Sequence, residues 1–128
     1  MATIKSYTDI SQSKKLADIL PLESADMHYI IMGDDEDPQS MVGLGEYIGI
    51  LPTIPCWSLA ALLNVLESEI DGEEGETYKL NIEKDGTWWN IWYRERYDEA
   101  KPIEIESTEE LIDACYEMIL KLHELKML

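Results

Sequence analysis

A chain of 128 residues, 45% of them apolar, is long enough to bury a core without disulfides or metal, and its length fits a single domain over 1–128. Its 27 Asp+Glu against 10 Lys+Arg give a formal net charge of −17, a surface that repels phosphate and argues against direct nucleic-acid or anionic-membrane binding. The start, Met1-Ala-Thr-Ile-Lys-Ser-Tyr7, lacks a basic stretch followed by an apolar core. No apolar run reaches membrane-spanning length and the two cysteines make no disulfide framework, so a reducing cytoplasm is expected.

Asp9 with Gln12 three residues on signals a helix start, and Leu16, Ala17, Ile19 and Leu20 form an apolar face before Pro21, which predicts a helix over Asp9–Leu20. Met27–Met32 reads as a strand, with Met27, Tyr29 and Ile31 on one face and His28, Ile30 and Met32 on the other. The acidic, glycine-containing stretch Gly33–Gly45 reads as a loop, and Glu46–Leu51 as a second short strand closed by Pro52. Thr53–Trp57 then leads into a second helix. Ser58 is its expected N-cap, Trp57 can staple against Leu62, and Leu59, Leu62, Leu63, Leu66 and Ile70 form its stripe until Asp71-Gly72 ends it.

Thr77–Glu83 alternates strictly, Asp85-Gly86 fits a two-residue turn, and Trp88–Arg94 returns as a hairpin. With that turn Ile82 faces Trp89, Leu80 faces Ile91 and Tyr78 faces Tyr93 on the core side. The other side then pairs Lys79 with Trp92 and Thr77 with Arg94. Pro102–Glu106 alternates apolar with acidic as a third strand, with Ile103 and Ile105 inward. Last comes a helix over Ser107–Leu128, where Ser107 and Glu110 suit a capping box and Leu111, Cys115, Met118, Leu122 and Leu125 recur on one face, widened by Ile112 and Ile119. The order α-β-β-α-β-β-β-α predicts an α+β fold: an antiparallel meander, with additional N-terminal strands, packed on one face by helix 2 and the C-terminal helix.

Three passages, Leu16–Met27, Pro55–Leu66 and Asp113–Leu125, together resemble a family of small acidic proteins from gut bacteria and their phages and mobile elements, over nearly the whole chain. The resemblance implies a cytosolic accessory protein of phage or mobile-element origin. The family has no assigned activity, so it transfers no functional residue.

Chemistry-bearing residues are sparse. Cys56 before a helix start has the placement of an activated thiol, but the two histidines, His28 and His123, bring no adjacent signature and Cys56 also suits a packed small hydrophobe. The spacing of His28, His123, Cys56 and Cys115 matches no zinc pattern, and Asp34–Asp37 and Asp71–Glu74 lack the alternating oxygens of a calcium loop, so no metal or cofactor is expected. The strongest surface hint is Trp88 and Trp92, flanked by Lys79 and Arg94, on the polar side of the hairpin: a partner-binding face if open, core if another element covers it. A domain this small needs large side chains inside, which favours cover.

The leading expectation is a non-enzymatic protein-interaction module whose partner is an unknown protein or a second copy of the chain in a homodimer. The alternatives are an acidic decoy that imitates DNA and occupies a basic protein, and a small cysteine-dependent hydrolase built on Cys56.

Overall fold

The computed structural model describes residues 4–30, 41–44 and 53–128, with backbone alone over 41–44. The fold is α+β, with three helices and two antiparallel sheets among the described residues. Two compact units divide the chain, Ser6–Ala61 and Met1–Lys5 with Leu62–Leu128.

The first unit begins at α1 (Ile10–Ala17), which forms because its start is capped from both directions. Asp9 Oδ1 accepts from the Gln12 amide at 2.8 Å while Gln12 Oε1 accepts from the Asp9 amide at 3.1 Å. The helix ends short of the expected Leu20, though Leu16 and Leu20 are both buried. Strands β1 (Met27–Ile30), β2 (Met41–Leu44) and β3 (Thr53–Cys56) follow in sheet order β2-β1-β3. Two of these depart from expectation. Met41–Leu44, read as loop, pairs with β1, and Thr53–Cys56, read as a lead-in to a helix, is the opposite edge, where Pro55 needs no amide hydrogen. The expected strand Glu46–Leu51 and the far end of the Met27–Met32 strand lie outside the described residues, as do Gly33–Ser40 of the expected loop.

The unit boundary falls inside α2 (Leu59–Val65). Ser58 caps α2 as expected, its hydroxyl accepting from the Ala61 amide at 3.1 Å, and Trp57 and Leu62 are both fully buried. The helix does not run to Ile70. Glu69–Asp71 is instead a strand, β4, in which the central Ile70 alone is buried.

In the second unit β4, β5 (Thr77–Asp85), β6 (Trp88–Glu95) and β7 (Ile103–Glu104) form an antiparallel meander in chain order. The hairpin register differs from the expected one. Asp85 closes β5 opposite Trp88, and the turn is Gly86-Thr87, with Gly86 at φ 63° in the left-handed region that glycine tolerates. Ile82 therefore faces Ile91, Leu80 faces Tyr93 and Tyr78 faces Glu95. The slip is an even one, so every side chain keeps the face expected for it.

Helix α3 (Leu111–Glu124) packs against β6 on the face that carries Ile91 and Tyr93. Its buried residues are Ile112, Cys115, Met118, Ile119 and Leu122 of the expected stripe, with Ala114 added; only the ends of the stripe differ, Leu111 being half-buried and Leu125, at the C-cap, exposed. The Ser107–Glu110 capping box does not form. Ser107 donates to Asn90 Oδ1, Thr108 exchanges backbone hydrogen bonds with Trp89, and Glu110 becomes a cap without a side-chain bond, its carboxylate accepting from the Lys5 amide at 3.3 Å. Lys5 Nζ lies 2.7 Å from Asp113 Oδ1, a cation in contact with the first turn of α3.

Candidate interaction surface

Strand alternation divides the meander into two faces. Tyr78, Ile91, Tyr93, Glu95 and Ile103 share the buried one with Ile70. Burial raises the Tyr93 hydroxyl pKa to about 12, helped by negative charge near Glu67 and Cys115. Burial, then Glu76, Glu95 and Glu74, also raises that of Tyr78.

The opposite face carries all four residues singled out from the sequence. Trp88 is 47% exposed, Trp92 is half-buried, and Lys79 and Arg94 are exposed. No residue of this face on β4, β5, β6 or β7 is buried, so neither indole is taken into a core: Trp88 is exposed and Trp92 partly covered. Expected partners change with the register. Lys79 faces Arg94 rather than Trp92, Asn81 faces Trp92, and Asp85 faces Trp88. On its other side Trp92 faces Glu104 of β7, a neighbour that sequence reasoning did not assign. The alternation of Pro102-Ile-Glu-Ile-Glu already put Glu104 opposite in sense to Ile103, but not beside Trp92.

Two like charges in register repel, yet each of these cations has an acidic neighbour: Glu69 of β4 is paired with Lys79, and Asp98 Oδ1 lies 3.3 Å from Arg94 Nε. The turn that positions Asp98 is organised by Glu95, whose buried carboxylate accepts from the Tyr97 amide at 2.8 Å and the Glu99 amide at 2.9 Å. Trp89 points to the face of Ile91, where the Lys84 ammonium sits 5.4 Å from its ring centroid.

Cys56 has the surroundings of a packed thiol. It is fully buried, its Sγ lies 3.4 Å from the Thr8 carbonyl oxygen and 3.7 Å from the Thr8 hydroxyl, and burial pushes its pKa up despite lowering by Thr8, Ser13 and Tyr29. The register also separates it from a base. Cys56 pairs with Met27 and so shares a face with Tyr29, whereas His28 pairs with Pro55 and points from the other face of the sheet. His123 is exposed on α3, and Cys115 is fully buried with its pKa raised by burial to about 12.

Among the described residues no three His, Cys, Asp or Glu side chains gather as metal ligands. Among the described residues, clefts of about 560 and 590 Å³ are edged mostly by carboxylates, Glu74, Glu76, Glu95 and Glu99 with Arg96 around one and Glu104, Glu106, Glu117 and Glu124 with Lys121 around the other, and neither includes a cysteine or histidine. Among the described residues no helix is long and apolar enough to cross a membrane.

The chain matches no family model, no curated protein and no solved structure at a significant level. The resemblance to proteins of gut bacteria and their phages therefore rests on the three quoted passages alone.

Proposed function

We propose that the chain is a non-enzymatic protein-interaction module of the cytoplasm, of phage or mobile-element origin, that binds a protein partner through the face formed by Trp88, Trp92, Lys79 and Arg94. The observation that carries this reading is the openness of that face. Two indoles stand on the outer side of a four-stranded sheet with no buried neighbour among them, where aromatic side chains supply large contact area at low entropic cost. The test is capture from a lysate of the source cell by the wild-type chain and by a Trp88→Thr/Trp92→Thr variant, β-branched residues keeping the strand preference. A partner held by the wild type at raised salt and lost by the folded variant supports the module. Equal capture by both overturns it. A homodimer through the same face would double the mass in sedimentation, and the variant would abolish the doubling.

A second reading is favoured by the carboxylates around both clefts: an acidic decoy that occupies a nucleic-acid-binding protein. Its complex would ignore the tryptophan replacements, weaken steeply with salt and yield to duplex DNA. The cysteine-hydrolase reading has no comparable support, because the Cys56 thiol is buried and His28 lies on the other face of its sheet.

A further inference from the structure

The charges on the open face are unevenly answered. Lys79 and Arg94, at one end, have Glu69 in register and Asp98 within an ion-pair distance. Toward the hairpin turn the carboxylates have neutral partners: Glu83 faces Asn90, Asp85 faces Trp88 and Glu104 faces Trp92. All three are exposed, and among the described residues none of them is in an ion pair. Exposed Trp88 and half-buried Trp92 each stand next to a carboxylate that has no ion pair among the described residues, in a chain of net charge −17. The face of an indole attracts cations, and a guanidinium can stack on it while its N–H groups reach a neighbouring carboxylate. An ammonium does so less well, having no planar surface to stack. An anionic segment would meet the same three carboxylates as repulsion.

Spacing limits the occupant further. Trp88 and Trp92 lie on one strand four residues apart, roughly 13 Å at the rise of an extended chain. An extended peptide laid along β6 advances at the same rise, so its side chains match the two indoles when they too are four residues apart.

We propose that this face takes an extended, arginine-bearing segment of another protein, two guanidinium groups four residues apart resting on Trp88 and Trp92 and paired to Asp85 and Glu104. The proposal rests on the interaction-module reading and adds the chemistry of the partner.

The experiment titrates the ¹⁵N-labelled full chain with a short Ser/Gly peptide bearing two arginines four residues apart, with a second peptide in which the arginines are adjacent, and with a third bearing glutamates instead. The first peptide is expected to move the indole N–H signals of Trp88 and Trp92. The signal of Trp57, whose Nε1 donates to Ser24 Oγ at 2.9 Å, stays in place. Binding should weaken by about tenfold in Trp88→Thr/Trp92→Thr, and in the sterically conservative Asp85→Asn/Glu104→Gln, and also when the arginines are adjacent. Shifts spread over the acidic surface without preference for these indoles, or affinity unchanged in both variants, would overturn the proposal. So would preference for the glutamate peptide. If lysate capture still depends on the tryptophans while the arginine peptide fails, the partner chemistry is wrong and the interaction module stands. If capture ignores the tryptophans, the module itself falls.

Discussion

Thr8 and Trp57 exchange two hydrogen bonds: the Thr8 amide donates to the Trp57 carbonyl at 2.9 Å, and the Trp57 amide donates to the Thr8 hydroxyl at 3.1 Å. The same hydroxyl lies 2.8 Å from the buried Ser13 hydroxyl, and the Thr8 carbonyl accepts from the Tyr29 hydroxyl at 2.7 Å. One fully buried threonine thus joins the α1 entrance, β1 and the end of β3. Thr8→Val keeps the volume but strands the Trp57 amide and leaves the Ser13 hydroxyl only its 3.5 Å bond to the Thr8 carbonyl, so it should destabilise by about 1–3 kcal/mol. Urea unfolding measures it, and Thr8→Ser, which keeps the hydroxyl, should lose much less.

Local signals carried much of this fold. The Asp9–Gln12 box and the Ser58 cap are decided within one helical turn and form as read. The two faces of the hairpin follow from period two, which survives an even slip in register. What escaped reading depends on distant partners. Asp-Gly and Gly-Thr both suit a tight turn, and the choice between them is made by pairing across β5 and β6, with β7 beyond. Ile70 fits the helical step after Leu66, yet Glu69–Asp71 gains a ladder with Thr77–Lys79. Ser107 loses its cap role because Thr108 is drawn into a bridge with Trp89. Of the outer face of the meander, the four residues were legible from alternation, but their exposure and the carboxylates beside the indoles were not, since both depend on β7 and on which face α3 covers.

Helix α3 ends on a strained residue. The Met127 amide donates to the Leu122 carbonyl at 2.9 Å and the Lys126 amide to the His123 carbonyl at 3.1 Å, while Lys126 has a φ of 60°. That pattern favours glycine at the left-handed position, where an L side chain costs about 1–2 kcal/mol. Lys126→Gly should therefore raise stability by about 0.5–1 kcal/mol after the added entropy of the unfolded chain, read as a higher midpoint in thermal unfolding.

Alkaline pH should unfold the second unit earlier than a chain with unshifted groups. Tyr93 and Cys115 have pKa values raised to about 12 from ordinary values of 10.0 and 9.0, so in the folded state they hold protons that the unfolded chain gives up. Their contribution is fully present below pH 9 and is lost as pH climbs from 9 toward 12, since the native state then binds more protons than the unfolded. Replacing Cys115 by Ala should flatten the lower part of that decline. Iodoacetamide should correspondingly label neither Cys56 nor Cys115 in native protein at neutral pH, and both after denaturation, because both thiols are fully buried with raised pKa values.

The hairpin register has its own energetic signature in Ile82 and Ile91. They face one another across β5 and β6, but Ile91 is 1% exposed and Ile82 39%. Ile91→Ala removes a fully packed side chain and should cost about 2–5 kcal/mol, whereas Ile82→Ala should cost about 1 kcal/mol or less. Direct cross-strand contact should also appear as a coupling of about 0.5 kcal/mol between Ile82 and Ile91 in a double-mutant cycle. Turn chemistry centred on Asp85-Gly86 would place the coupling between Ile82 and Trp89 instead, so the pair of cycles decides which dipeptide turns the chain. The answer reaches the open face, because the same register sets Asp85 against Trp88 and leaves Trp92 between Asn81 and Glu104.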